Sequence, residues 1–259
     1  MNSLLERLEP KDRRGSKPRC HLLTHGSVED VAARLTNLVS PFANVSPNDS
    51  WMPQGFEQTD EAELHKATRL LGNEHCEQIK HWWFDIFRGG LQKGPSFDIA
   101  STCTIEGRPG IMLVEAKAHD KELMNEEGPK PLKEGASDGE IRNHQRIAEA
   151  IHATNEPFTI STESTWKLSR DSRYQMSNRF ASAFKLTELG YPVVLVYLSF
   201  LSADEMTDLG KPFENEEKWE ILVKTHSEPL FPAAIWNRRW NVNSVPFIPL
   251  IRSLEMPLA

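Results

Sequence analysis

The spacing of apolar positions divides the chain into recognisable elements. "SVEDVAARLTNLV" (27–39) repeats apolar residues at helical spacing behind a serine N-cap, so it predicts a helix. "TDEAELHKATRLL" (59–71) and "EHCEQIKHWWFDIF" (74–87) predict two more, divided at Gly72-Asn73. In the second of these, Cys76, Ile79, Trp83, Ile86 and Phe87 form an apolar stripe that Gly89-Gly90 ends. "SFDIASTCTI" (96–105) and "GIMLVEAKAH" (110–119) predict the two strands of a hairpin turning through the four residues "EGRP". Helical spacing returns in "GEIRNHQRIAEAIHAT" (139–154) and "YQMSNRFASAFKLTELG" (174–190), the latter closed by Gly190. "YPVVLVYLSFL" (191–201) is apolar and β-branched throughout, as a strand buried on both faces should be.

The remainder is less regular. Residues 1–20 mix charge with Pro and Gly and predict a mobile or loosely docked arm; residues 40–55 predict a loop. The tail from Glu214 carries Trp219, Trp236, Trp240 and three prolines in its last fourteen residues, and predicts a segment that wraps the core. The order helix, hairpin, helix, buried strand predicts an α/β sandwich, with a central mixed β-sheet flanked by helices. Its domain is expected over 56–259, with 1–55 as an N-terminal arm and helix packed on it.

Composition narrows the picture. At 259 residues, 39% hydrophobic and 26% charged, the chain is that of an ordinary soluble globular protein. Its net charge of −7 excludes a general polyanion binder and confines any nucleic-acid contact to local basic patches. Three separated cysteines without a CxxC pair argue against a disulfide framework. The N-terminus is too charged for a signal peptide, and no apolar run approaches the ~20 residues that span a bilayer. The expected location is therefore cytoplasmic, with no membrane partner.

The strand "GIMLVEAKAH" poses a chemical problem. Glu115 and Lys117 lie two positions apart on a buried strand, and so share one face. Desolvating such a pair costs several kcal/mol, which good geometry does little more than offset. The "EGRP" turn would face Ile105 with Gly110 and set Asp98 opposite Lys117, with Glu115 diagonal to it. A slip of one residue would turn Asp98 to the other face. Two adjacent carboxylates repel unless a cation lies between them, and a hard divalent ion such as Mg²⁺ relieves that repulsion with oxygen ligands and retained waters. Metal-activated water beside a lysine is the chemistry of phosphodiester hydrolysis.

Asp98 followed seventeen residues later by Glu115-Ala116-Lys117 resembles the PD-(D/E)xK nuclease superfamily, whose fold is restriction-endonuclease-like. The resemblance covers about 59–201 and departs from the pattern at Ser96-Phe97-Asp98, although Pro95 stands close by. It implies Mg²⁺ or Mn²⁺ held by Asp98, Glu115 and the Ala116 carbonyl, with Lys117 positioning the attacking water or steadying the transition state. It further implies a glutamate from the preceding helix, for which Glu63 is chosen over Glu61 and Glu77. Gln175, Asn178, Arg179 and Ser182 make a polar stripe on the helix 174–190. By the same resemblance Gln175 and Arg179 orient the scissile phosphate or hold Glu115; alternatively they form a solvated face. The implied partner is nucleic acid, DNA before RNA, and many such nucleases act as homodimers. A nuclease-fold module kept for binding or assembly, without turnover, is the competing reading, and a small-molecule hydrolase using the same metal pair is a third.

Other motifs have plainer readings. An ExK triplet alone is usually a solvated edge pair, and His144 shares a face with Ile141, Ala148 and Ile151, which suits a core-edge histidine. "HWWF" reads as packing, while "WNRRW" (236–240) fits either a nucleic-acid surface or a tail clasp. "KDRRGSKPR" (11–19) is either a backbone clamp or a soluble arm.

Overall fold

The computed structural model describes residues 3–85 and 93–258. Its strands are β1 (Trp51–Met52), β2 (Ala62–Glu63), β3 (Ser96–Phe97), β4 (Ile99–Ile105), β5 (Arg108–Lys117), β6 (Val193–Leu201), β7 (Trp240–Val242) and β8 (Val245–Glu255). The helices are α1 (Ser16–Leu23), α2 (Val28–Val39), α3 (Thr68–Trp83), α4 (Asp120–Met124), α5 (Asp138–His152), α6 (Asn155–Thr162), α7 (Tyr174–Glu188) and α8 (Glu216–Ser227). Six strands form one mixed sheet in the order β1-β4-β5-β6-β8-β7, and β2 pairs with β3 apart from it. β5, β6 and β8 run parallel in the middle, with antiparallel neighbours on either side.

The two-residue period of the strands sorts side chains into two cores. Ile111, Leu113, Leu195, Tyr197 and Phe247 pack with Trp83, Ile147, Phe158, Phe180 and Trp219 of the α3, α5, α6, α7 and α8 layer. Met112, Val114, Ala116, Val196 and Leu250 face Cys20, Leu23, Val31 and Leu35 of α1 and α2. The result is an α/β sandwich of a six-stranded mixed sheet between helical layers. Among the described residues, no helix is long and apolar enough to cross a membrane.

Several elements depart from the sequence reading. The arm 1–20 is largely docked: α1 buries Cys20, Leu23 and the Arg19 side chain, whose guanidinium meets both carboxylate oxygens of Glu205. The loop 40–55 contributes β1, which pairs Trp51 with Ser101 at the sheet edge. The helix expected over 59–71 begins only at Thr68, because Ala62 and Glu63 pair with Phe97 and Ser96. Ile86, Phe87 and Gly89-Gly90 lie outside the described residues.

The hairpin turn is two residues long. Ile105 pairs with Arg108, leaving Glu106 and Gly107 in the bend with φ of 50° and 76°. This mirror-image geometry matches the twist of the flanking strands. Pro109 takes a place near the start of β5, where a missing donor is tolerated. The shift preserves the face of every residue, but it sets Asp98 level with Glu115 instead of Lys117, since Ile99 pairs with Val114.

The tail is more than a wrap, for β8 is an interior strand paired over its length with β6. Pro249 is accommodated because its carbonyl accepts from Asn237 N, away from β6. A residue's N–H and carbonyl point the same way, so the missing donor falls on that outer side too. The Asn237 side chain accepts from Ile251 N just beyond.

Candidate active site

Glu115 and Lys117 lie at the C-terminal end of β5, on the sheet face covered by α7. Both are buried, at 2% and 6% exposure. Glu115 Oε1 accepts from Lys117 Nζ at 2.6 Å and from Gln175 Nε2 at 3.2 Å, while Oε2 accepts from Arg179 Nε at 2.5 Å. Gln175, half-buried, and Arg179 of the α7 stripe are therefore aimed at Glu115, not solvated, while Ser182 bonds Asn178. Asn178, Arg179 and Ser182 are all buried, and Arg179 also stands 5.0 Å from the Phe97 ring centroid. Asp98 occupies the bend between β3 and β4, where its Oδ2 accepts from Ala116 N at 2.7 Å.

These groups open onto a polar cleft of about 420 Å³, lined also by Ser16, Glu61, Lys93, Glu122, Glu126 and Lys130. Burial pushes the Glu115 carboxyl up, but the Arg179 and Lys117 charges and their hydrogen bonds outweigh it and hold it at about 2. Asp98 shifts the other way. Burial and then the Glu115 charge push it to about 7, against the opposing pull of Lys117, the Ala116 amide and Arg179. Burial acts to lower Lys117, yet the charges of Glu115, Glu126 and Asp98 raise it, so it stays an ammonium.

Glu126 was not foreseen from the sequence. The segment after β5 forms α4 and a 3-10 turn over Asn125–Glu127, which brings Glu126 onto Lys117 Nζ. Burial pushes Glu126 up to about 7, with Lys117 opposing. The available signal was Leu123, three residues earlier and fully buried: one helical turn puts both on the inner face. Glu122 also reaches the site, accepting from Ala118 N and from Ser16 Oγ.

Glu63 does not join this group. It stands on β2 instead of a helix, its carboxylate accepts from Lys66 Nζ at 3.0 Å and Gly94 N at 3.3 Å, and it does not line the cleft. The strand pairing of 62–63 turned the segment away from the helical geometry on which that choice depended. Glu61 lines the cleft in its place, paired with Lys93 at 2.6 Å.

Two carboxylates that repel, together with the Ala116 carbonyl, are a hard-oxygen donor set suited to Mg²⁺ or Mn²⁺. Among the described residues no group of three or more His, Cys, Asp or Glu side chains is placed to hold a metal ion. Asp98 uses only Oδ2 in hydrogen bonding among the described residues, and Glu115 has one of four lone-pair positions unspent.

The remaining motifs lie outside the cleft lining or pack against the core. Trp236 is buried against Phe180 and Tyr197, and Arg239 pairs with Glu106, so "WNRRW" clasps the core. Trp83 is core and Trp82 packs beside it. Arg14, Lys17 and Arg19 each pair with a carboxylate. His144 bonds the Lys130 carbonyl at 3.0 Å and does not line the cleft. Comparison with protein-family models, curated proteins and solved structures finds no match to this chain.

Proposed function

We propose that the protein is a metal-dependent nuclease of the PD-(D/E)xK type, with a restriction-endonuclease-like fold, that hydrolyses phosphodiester bonds in nucleic acid, DNA before RNA. The observation that carries this reading is the convergence of Asp98, Glu115 and Lys117 in one open polar cleft. Asp98, Glu115 and the Ala116 carbonyl would hold Mg²⁺ or Mn²⁺, which supplies an activated water and charge stabilisation on the phosphate. Lys117 keeps its proton and offers a fixed positive charge where negative charge develops. Gln175 and Arg179 hold the Glu115 carboxylate in one orientation. Lys93 and Lys130 at the cleft wall give a phosphate backbone local cationic contacts despite the acidic whole. The reading places the protein in the cytoplasm, and a homodimer would offer one cleft to each strand of a duplex.

A second reading, a nuclease-fold module that binds or assembles without turnover, is favoured by the engagement of both Glu115 oxygens by cationic side chains. The test is cleavage of labelled single- and double-stranded DNA and RNA with Mg²⁺ or Mn²⁺, comparing wild type with Lys117→Ala and Asp98→Ala. The nuclease reading expects cleavage by the wild type and a loss of at least ~100-fold in each variant, with circular dichroism unchanged. A wild type that binds nucleic acid but cuts none of these substrates would favour the binding module.

A further inference from the structure

Lys117 is shared. Its Nζ contacts Glu115 Oε1 at 2.6 Å on one side and Glu126 Oε1 on the other. Two features show that the second contact is more than incidental packing. Glu126 is 5% exposed, and neither of its carboxylate oxygens takes a hydrogen bond among the described residues, so Lys117 meets it as an ion pair. Tyr197 Oη, Arg173 Nε and His226 Nε2 are also buried without hydrogen-bond partners among them. Tyr197 feels Glu126 as its strongest charged neighbour, and His226 feels Arg173 and then Lys117. Buried polar atoms of this kind are normally satisfied by ordered water. Lys117 thus has a second carboxylate, buried and without a hydrogen bond, on its side away from Glu115.

We propose that Glu126 is a positioning residue that receives Lys117 when a divalent cation engages Glu115. The proposal rests on the metal-dependent reading above. The physical need is direct. Glu115 Oε1 is filled by Lys117 and Gln175, which leaves one position on Oε2 beside Arg179, and an ammonium ion in contact with a carboxylate repels a divalent ion brought to that same carboxylate. Losing Lys117 outright would leave a buried ammonium uncompensated, which costs several kcal/mol. Glu126 removes that penalty, because Lys117 already touches it and needs only to release Glu115. Lys117 then stays charged and beside the reacting centre, while Glu115 Oε1 becomes available. Without the Glu126 carboxylate, Glu115 is the sole anion in contact with Lys117, and cation and lysine compete for it.

The experiment is calorimetry of Mn²⁺ with wild type and Glu126→Gln, together with a crystal structure of the Mn²⁺-loaded wild type. The expected result is about tenfold weaker Mn²⁺ binding in Glu126→Gln, as for loss of a group supporting a metal ligand. In the loaded wild type, Lys117 Nζ should be within hydrogen-bond distance of Glu126 and separated from Glu115. Equal affinities in a Glu126→Gln protein with native circular dichroism would overturn the proposal. So would a loaded structure in which Lys117 still bonds Glu115. If Glu126→Gln does not fold, the loaded wild-type structure decides by itself. Absence of Mn²⁺ binding by the wild type would be a different failure: it removes the metal-dependent reading, and the handover with it.

Discussion

Asp98 and Glu115 illustrate how one site can push two like groups in opposite directions. Glu115 is held at about 2, below its ordinary 4.5, so it adds stability above that ordinary value and loses it as pH falls through 2. Asp98 is raised from 3.8 to about 7, so the metal-free fold is penalised as pH rises through this range. Asp98→Asn keeps an oxygen for the Ala116 amide and removes the charge. Thermal melts without metal should therefore show Asp98→Asn gaining on wild type between pH 4 and 7 and holding that gain above. A pH-independent difference would contradict the raised Asp98 carboxyl, to which burial contributes most and the Glu115 charge next. Arg179 supplies the largest opposing charge at Glu115, and Arg179→Met should cost about 3 kcal/mol in urea unfolding by leaving that buried carboxylate undercompensated. The ExK spacing and the amphipathic stripe of α7 were legible because both follow from local periodicity. Glu126 was not, because its approach to Lys117 depends on how a polar 3-10 turn folds back over β5.

At the scale of elements, the β4–β5 hairpin decides whether the site exists at all. Its strands were evident from their apolar runs, and the face of Asp98 was fixed by parity. The turn was read as four residues because Pro109 carries the composition of a turn. The positive φ of both Glu106 and Gly107 instead makes a two-residue bend. A Cβ at Gly107 would meet nothing within 4 Å, so Gly107→Ala tests the backbone alone. It should cost about 1 kcal/mol in chemical denaturation. A neutral result would mean that the bend relaxes to another turn. The helix α5 offers a control at residues that do not line the cleft. Ser137 and Glu140 close a capping box there, and Ser137→Ala should lower stability by about 1 kcal/mol.

Across the whole molecule, the N-terminal and C-terminal segments complete the central sheet and its two layers. Cys20 and Leu23 of α1 pack in the same core as Val114 and Leu250. Removing residues 1–26 should expose this face, lowering the melting temperature and increasing binding of a hydrophobic dye; an unchanged melt would favour a loosely docked arm. Leu250 is fully buried on β8, and Leu250→Ala should cost about 2–5 kcal/mol, as for an interior strand. Such a loss would be too large for an external wrap. The sequence by itself determined the strands β4 and β5, the buried β6, the cap of α2, and the shared face of Asp98, Glu115 and Lys117. These follow from periods of 2 and 3.6 residues, which are properties of the local backbone. Only the tertiary structure decided that a proline-bearing tail becomes β8, that α1 seals the sheet, that Glu63 is turned aside and that Glu126 meets Lys117. Each depends on contacts between segments distant in sequence, where the hydrogen-bonding side left open by one element sets what another can supply.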